Sequence, residues 1–305
     1  MTTILRPGEI QGPGTPAPFL KLPDPDSLFT RRAERFQGLA QDHPVEAFLL
    51  FMAALTQAQH RLVETLTGRA PDTLPRPAPR GLPFPAAGLP DIRHWQPGLR
   101  SLLEEIEPSA PAPTRAAIRR LRHMSDPDRV AMAREILRGH GSARDPAAAP
   151  LLAAALQAHW TVWIGQTAVE GIPAQTEATH CPVCGSPPVA GVIHSGGGIH
   201  GRRTLHCSLC QSQWHLERLK CSHCHATTDL EYPGLEGHHP AVKAEVCGHC
   251  RSYLKLINLE TDPRADPVAD HLATLALDLL LGEEGYTPSG INLLLYLEEA
   301  PATTA

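Results

Sequence analysis

The residues with the clearest chemistry are eight cysteines, all of which lie between positions 181 and 250. They form four Cys-x-x-Cys pairs, namely Cys181/Cys184, Cys207/Cys210, Cys221/Cys224 and Cys247/Cys250. Two such pairs can place four sulfurs at the corners of a tetrahedron, each about 2.3 Å from a central metal ion. Soft sulfur donors in that geometry select zinc or iron over magnesium or calcium. The sequence therefore predicts two metal ions, each held by four thiolates.

The spacing of the pairs indicates which cysteines share an ion. The stretch Cys207-Ser-Leu-Cys-Gln-Ser212 is repeated 40 residues later as Cys247-Gly-His-Cys-Arg-Ser252, and 22 residues separate the pairs within each half. This match favours two tandem modules, residues 176–220 and 221–262, over an interleaved pairing, and their short junction predicts one rigid body. The predicted ligands are Cys181, Cys184, Cys207 and Cys210 at site 1, and Cys221, Cys224, Cys247 and Cys250 at site 2.

Other uses of the cysteines fit less well. A disulfide framework suits a small secreted chain, whereas this chain has 305 residues and its first residues show no secretory pattern. A thioredoxin-type pair opens a helix in a βαβ unit, whereas these pairs lie between strand-like runs, so thiol exchange remains a minor alternative. Since sulfur fills both sites, nearby histidines are expected at their rims. These are His180, His206, His223, His225 and His249.

Length, composition and charge exclude several classes of function. The length predicts about two domains, and no apolar run reaches the ~18 residues of a membrane span, so we expect a cytoplasmic protein. Residues 176–260 contain seven basic and seven acidic side chains, and the whole chain carries a formal charge of −5. Thiolate sites add further negative charge, which disfavours a nucleic-acid partner. No catalytic triad, carboxylate dyad or nucleotide fingerprint is present, so no enzymatic activity is expected.

The remaining sequence predicts an all-α domain over residues 27–175, preceded by a loose proline-rich arm at 1–26 and interrupted by a proline-rich connector at 70–98. Ser27 is the predicted N-cap of the first helix, and the apolar run 147–169 is predicted to be the central helix of the bundle. Other helices are expected near 44–68, 99–107, 114–124 and 127–138.

Short strands are predicted at 189–193, 203–206, 214–219 and 255–259, with the glycine-rich stretch 195–201 as a hairpin tip. Residues 263–305 are expected to form a C-terminal helix, near 268–281, and a tail that packs on the body. Asp270 and Asp278 fall outside the apolar stripe of that helix, which predicts solvated or capping charges.

Residues 175–295 resemble the formate dehydrogenase accessory proteins (FdhE). The resemblance rests on the motifs Cys181-Pro-Val-Cys-Gly185, Arg218-Leu-Lys-Cys-Ser-His-Cys224, Ala244-Glu-Val-Cys-Gly-His-Cys-Arg-Ser-Tyr-Leu-Lys255 and Ser289-Gly-Ile-Asn292. It implies rubredoxin-like cysteine knuckles that bind iron, with zinc as the alternative, and the same eight cysteines as ligands. It also implies an assembly factor that binds the catalytic subunit of respiratory formate dehydrogenase, and with it a twin-arginine signal peptide, before export.

Two other functions share these ligands. A rubredoxin-like electron-transfer or redox-sensing iron protein would show reversible reduction of its iron. A zinc-ribbon nucleic-acid binder is disfavoured by the charge balance given above.

Overall fold

The fold comprises a helical domain followed by a β-rich part with two cysteine knuckle clusters and by C-terminal helices, as the sequence predicts; the two predicted modules share one sheet. A computed structural model describes residues 18–67, 81–88, 92–138, 145–166, 178–195, 201–237 and 239–296. A 3₁₀ turn, Glu107–Ser109, lies between two of the described helices. The helices of the domain are α1 (Pro25–Ala40), α2 (Glu46–Thr67), α3 (Ile92–Ile106), α4 (Ala112–His123), α5 (Asp126–Leu137) and α6 (Ala149–Gly165).

One mixed sheet runs through the cysteine-rich part of the chain. Along it the strands are ordered β1-β4-β3-β2-β7-β6-β5, and β8 pairs with β7 beside β2. Most neighbours are antiparallel, but β7 runs parallel both to β2, with Gly191 opposite Leu256, and to β8. The strands are β1 (Leu20–Lys21), β2 (Pro188–Ile193), β3 (Arg203–Cys207), β4 (Gln213–His215), β5 (Leu230–Glu231), β6 (Val242–Cys247), β7 (Ser252–Asn258) and β8 (Thr287–Pro288).

Helix α6 is the centre of the helical domain. All of its residues except Pro150 and Gly165 are buried, and it contacts α1, α2, α3 and α5. A helix that is apolar on every face requires such complete enclosure. Trp160 and Trp163 are core residues, with ring centroids 4.8 Å apart. None of the described helices combines the length and the apolar character needed to cross a membrane.

The observed start of α1 differs from the prediction. Asp24, not Ser27, is the N-cap: its side chain accepts a hydrogen bond from the amide of Asp26. Ser27 lies in the first turn and donates its hydroxyl to Asp24. The earlier start follows from Pro25, because proline suits the first helical position, where its missing N–H is not needed.

The two proline-rich stretches are more ordered than predicted wherever they are described. Residues 1–17 lie outside the described residues, but the end of the predicted loose arm forms β1, in which Leu20 pairs with Trp214 of β4. The predicted connector 70–98 extends too far, because α3 begins at Ile92 and contains Pro97. Before α3, residues 81–88 of the connector are described, and they run alongside the first cysteine pair.

The two halves of the cysteine-rich part share this sheet, with β2 and β3 from one half and β5, β6 and β7 from the other. The predicted strand 214–219 ends early, at His215, because the chain turns before Cys221 and Leu219 adopts a left-handed backbone with φ of 62°. The proposed glycine-rich hairpin tip lies mostly outside the described residues.

The predicted C-terminal helix is interrupted at Thr274, which separates α7 (Ala269–Ala273) from α8 (Leu275–Glu283). Of the two expected roles for Asp270, solvated or capping, the solvated one was wrong, because its side chain is 1% exposed and paired with Arg35 of α1. Its carboxylate does accept the amide of Asp266, at 2.7 Å, just before α7. Asp278 accepts hydrogen bonds from Lys255 and Tyr253 of β7. Both aspartates therefore join the C-terminal helices to other parts of the molecule.

Candidate metal centre

The structure brings the first four cysteines together. The sulfur atoms of Cys181 and Cys210 are 3.6 Å apart, and those of Cys184 and Cys207 are 3.4 Å apart. All four sulfurs lie within 4.8 Å of one another. Ligands about 2.3 Å from a common ion would have sulfurs about 3.8 Å apart, whereas a disulfide would place them about 2.05 Å apart. This first cluster therefore fits a tetrathiolate site.

The other four cysteines form an equivalent second cluster. Cys221 and Cys250 have sulfurs 3.8 Å apart, and those of Cys224 and Cys247 are 3.7 Å apart. These contacts repeat those of the first cluster with an offset of 40 residues, so the sulfurs are grouped as the matched spacing predicts. The donor set of each cluster could hold one metal ion, and all eight cysteines are free thiols.

The backbone explains how each Cys-x-x-Cys pair presents its sulfurs on one side. The residue after each second cysteine has positive φ: Gly185 (80°), Gln211 (64°), His225 (64°) and Arg251 (55°). In three of the four turns this residue also donates its amide to the carbonyl of the first cysteine, at 2.8–3.1 Å. The left-handed residue thus closes a tight turn, and only at position 185 does glycine indicate this from sequence.

Serine hydroxyls and backbone amides lie against the sulfurs. Ser212 is 3.2 Å from the sulfur of Cys210, and Ser252 is 3.0 Å from that of Cys250. The amides of Leu209 and Cys210 both approach the sulfur of Cys207 at 3.4 Å. Donors around a thiolate stabilise its negative charge. The sequence repeat had already marked the two serines, but only the structure shows their contact with sulfur.

The first cluster is buried and attached to the helical domain. All four of its cysteines are buried, and the described connector crosses beside them. Its Phe84 and Ala86 amides donate to the carbonyls of Val183 and Cys184, at 3.0 and 2.8 Å. From α6, Gln157 donates its side-chain amide to the carbonyl of Ser208, at 2.7 Å.

A buried polar network links the first cluster to α1 and α7. Gln211, which follows Cys210, accepts hydrogen bonds from Arg32 at 2.8 Å and from His206 at 3.0 Å. Arg32 is fully buried and pairs with Asp266, just before α7, at 2.9 Å. Burial, reinforced by the charge of Arg32, lowers the pKa of His206 to about 4. His206 is therefore neutral at pH 7 and lies in this network.

The second cluster is more open. Cys224 and Cys250 are partly exposed, and no described connector crosses it. His249 is exposed, and its Nδ1 lies 3.8 Å from the sulfur of Cys224. Arg251, also exposed, stacks on the ring of Tyr286 at 3.9 Å. Of the predicted rim histidines, His180 and His223 are exposed and His225 is half-buried.

Each cluster contains one thiol with a lowered pKa beside two thiols with a raised pKa. Burial raises the pKa of Cys247 to about 12. Burial also opposes ionisation of Cys250, but its contacts with Ser252 and Cys224 outweigh this effect and lower its pKa to about 7. In the first cluster, contacts with the other three thiols outweigh burial and lower the pKa of Cys184. Each cluster therefore contains a thiol suited to become the first thiolate ligand.

These features define a class of protein in which a helical domain supports one continuous sheet bearing two four-cysteine knuckle clusters. Models of three consecutive parts of one family match the chain: FdhE, N-terminal, over residues 17–176; FdhE, central domain, over 180–218; and FdhE, C-terminal domain, over 219–295. The chain belongs to the FdhE family, which confirms the resemblance found in its motifs.

Individual relatives agree along almost the whole chain. A Protein FdhE homolog of Stutzerimonas stutzeri is 39% identical over 297 residues, covering 96% of this chain and 97% of the relative. A homolog from Pseudomonas aeruginosa is 40% identical over 304 residues, with the same coverage. The crystal structure of the FdhE protein from Pseudomonas aeruginosa superposes with a TM-score of 0.80 at 37% identity, covering 91% of this chain and 99% of that one.

Proposed function

We propose that this protein is a cytoplasmic assembly factor for respiratory formate dehydrogenase, which it serves by binding the catalytic subunit before export. The observation that carries this proposal is membership of the FdhE family across the helical domain and both halves of the cysteine-rich part. The protein provides a binding surface rather than a catalytic site.

The test is capture of the partner from the native host. The tagged full chain, purified from cells making formate dehydrogenase, should retain the catalytic subunit through stringent washing. A strain lacking the chain should make that subunit but show little formate dehydrogenase activity. Normal activity in that strain, or retention of nucleic acid alone, would contradict the proposal.

We further propose that the eight clustered cysteines bind two metal ions, with iron preferred to zinc. The tetrahedral spacing of the sulfurs supports four-thiolate coordination at each cluster, and the resemblance implies iron. An iron site would change its charge by one unit on oxidation, which zinc cannot do. Protein purified without added metal should contain about two iron atoms per chain and absorb visible light. Colourless protein with two zinc atoms would exclude the iron assignment.

The proposed partner site is an apolar groove along α8. The groove has a volume of about 480 Å³, and its lining includes Leu275, Leu279, Ile291 and Leu295. Leu279 is 67% exposed, and the adjacent Leu280 is 50% exposed. Large apolar side chains grouped on a surface often mark a site of protein contact.

Acidic residues extend the same groove and support a cationic partner. Glu283 follows Leu275 and Leu279 at intervals of four residues, so the three lie along one helix face. Glu283 and Glu284 are exposed at the C-terminal end of α8, where Arg251 donates to the carbonyl of Glu284 and partly offsets the negative potential of the helix dipole. Carboxylates at that end disfavour the helix but attract cations. A twin-arginine signal peptide, which combines arginines with an apolar segment, has the complementary chemistry.

The second cluster supports one other function. A rubredoxin-like electron carrier needs a metal site near the surface, and the partial exposure of Cys224 and Cys250 meets that need. Reversible reduction of bound iron, coupled to turnover by a host reductase, would support this function over assembly. Reduction of isolated protein by dithionite alone would not distinguish them.

A further inference from the structure

A second cleft, with a volume of about 600 Å³, lies between the two halves of the sheet. Ile193 on β2 is opposite Arg203 on β3 and Asn258 on β7, and Lys243 on β6 is opposite Leu256 on β7. These residues share one face of the sheet. The alternate residues Tyr253 and Lys255 point to the other face, where they bind α7 and α8. The cleft is therefore separate from both the metal clusters and the α8 groove.

A buried arginine forms the polar part of the cleft floor. Arg203 is 1% exposed and donates to the carbonyl of Lys220 at 2.7 Å and to Glu245 at 2.8 Å. Its Nε has no hydrogen-bond partner among the described residues. Gly191 lies beside this atom, since a Cβ there would be 3.5 Å from Nε, and the side chain of Leu256 covers the same spot, 2.5 Å from that Cβ position. A buried N–H without an acceptor is unfavourable, and an acceptor that entered the cleft and displaced the end of the Leu256 side chain would satisfy it.

The charges around the cleft favour an anion. Glu245 is the only carboxylate in the lining, and it is already engaged by Arg203 and by the hydroxyl of Tyr232, at 3.4 Å. Lys243 is exposed at the rim and makes no side-chain hydrogen bond or ion pair within the described part of the chain. An incoming carboxylate would meet the ammonium of Lys243 above and the unpaired N–H of Arg203 below.

An apolar wall completes the cleft. Leu219 is 58% exposed, and it occupies a left-handed backbone conformation, with φ of 62°, that leucine rarely adopts. Leu256 and Ile193 form apolar parts of the floor. An unusual backbone conformation that holds a leucine in solvent is unfavourable by itself, but it would be useful if that side chain covered a ligand.

We propose that this cleft binds a carboxylate carried on an apolar stem. The volume lies within the range of about 300–1,000 Å³ that is common for ligand sites. The carboxylate binds between Arg203 and Lys243, and the stem lies against Leu219 and Leu256. A free small organic acid and the carboxyl-terminal residues of a polypeptide both have this chemistry. The proposal does not depend on the assembly function.

The test is calorimetric titration of the full metal-loaded chain with matched probes. Sodium decanoate represents a free acid, and acetyl-Gly-Leu-Leu with a free carboxyl terminus represents a polypeptide end. Decanol and the C-terminal amide of the peptide are the uncharged controls. At least one acid should bind with a Kd below about 1 mM, and its uncharged counterpart should bind at least about tenfold more weakly. The acid that binds identifies the source of the ligand.

Two variants test the site while keeping the fold. Lys243→Glu reverses the rim charge and should weaken binding about tenfold. Leu219→Gly removes the apolar wall but suits the left-handed backbone better, so it should weaken binding while the melting temperature is kept. Arg119→Glu makes the same charge change on an exposed face of α4 and should bind as the unmodified chain does. The proposal is overturned if neither acid binds, if the uncharged probes bind equally well, or if the two cleft variants retain full affinity.

Discussion

Three residues in the knuckle turns occupy backbone conformations that their side chains disfavour. Gln211, His225 and Arg251 each have positive φ where Gly185 occupies the matching position. Each such residue costs on the order of 1 kcal/mol or more, so something else must hold the turn closed. Metal coordination would do so, since binding at structural thiolate sites contributes directly to folding.

His206 predicts a pH dependence of stability. Its pKa is about 4 in the folded protein and about 6.5 in an unfolded chain. A depressed pKa adds stability that is complete above about pH 6.5 and is lost as pH falls through 4. The loss should amount to about 3 kcal/mol. Urea unfolding of the unmodified chain should show this slope, whereas His206→Gln, which keeps a side-chain donor for Gln211, should have a flatter profile.

Metal release at low pH would destabilise the unmodified chain and His206→Gln equally. The difference between their two pH profiles of unfolding free energy therefore reports the protonation of His206. Identical slopes between pH 6.5 and 4 would show that His206 is not held neutral in the folded state.

Among individual residues, the sequence predicted the grouping of the cysteines better than it predicted the polar contacts around them. The sulfur grouping followed from spacing alone, because a local Cys-x-x-Cys turn encodes its own geometry. The partners of Gln211 could not be predicted, since Arg32 is 179 residues away along the chain. Asp270 was misjudged for the same reason: its partner, Arg35, belongs to a distant helix.

Among the structural elements, the two clusters should differ in how readily they lose metal. The first is covered by the connector and by α6, and the second is partly exposed at Cys224 and Cys250. Under excess chelator at neutral pH, metal release should be biphasic, with one equivalent lost severalfold faster than the other. Cys224→Ser should lack the fast phase and retain the slow one. A single phase for both equivalents, or loss of the slow phase in this variant, would contradict the difference.

The contact between α1 and the sheet predicts a large effect of one buried arginine. Removing one partner of a buried ion pair costs about 3–5 kcal/mol, because the remaining charge stays buried without compensation. Arg32→Met removes one donor from Asp266 and one from Gln211, although the amides of Val268 and Ala269 still donate to Asp266. The free energy of unfolding should therefore fall by about 3 kcal/mol, the lower end of that range. Arg31→Met changes the exposed neighbour on the same helix and should alter it by less than about 0.5 kcal/mol. Equal effects would show that burial at position 32 does not matter.

Local patterns predicted most of the helices because apolar spacing and prolines are local features. The central position of α6 followed from its composition alone. Strand β1 was missed because a two-residue strand has no pattern of its own, and its pairing with β4 joins residues nearly 200 positions apart.

For the whole molecule, the α8 groove predicts how partner binding should respond to charge. Leu279→Lys places a cation in the apolar groove, and Glu283→Lys reverses one of the two negative charges at its end. Each should weaken retention of a twin-arginine signal peptide at least about tenfold, measured by fluorescence anisotropy with a labelled peptide. A peptide with both arginines replaced by glutamine should bind comparably weakly to the unmodified chain. Glu104→Lys, at an exposed position of α3 outside the groove lining, makes the same charge change as Glu283→Lys and is the matched control.

If both groove variants bind the signal peptide as tightly as the unmodified chain, the partner binds at another surface. That result would not contradict the proposed assembly function. Loss of formate dehydrogenase activity in a strain lacking the chain tests that function independently of where the partner docks.

The parallel pairing of β2 with β7 also sets the order of events during translation. Residue 191 cannot find its neighbour until residue 256 has been made, and β1 must wait for β4. An early cysteine knuckle can close locally, yet its sheet stays unfinished while the ribosome continues. The edge of β2 that β7 covers therefore stays unpaired until residue 256 is made, and unpaired strand edges are prone to aggregation during synthesis. An accessory protein of this kind thus passes through an aggregation-prone period of its own.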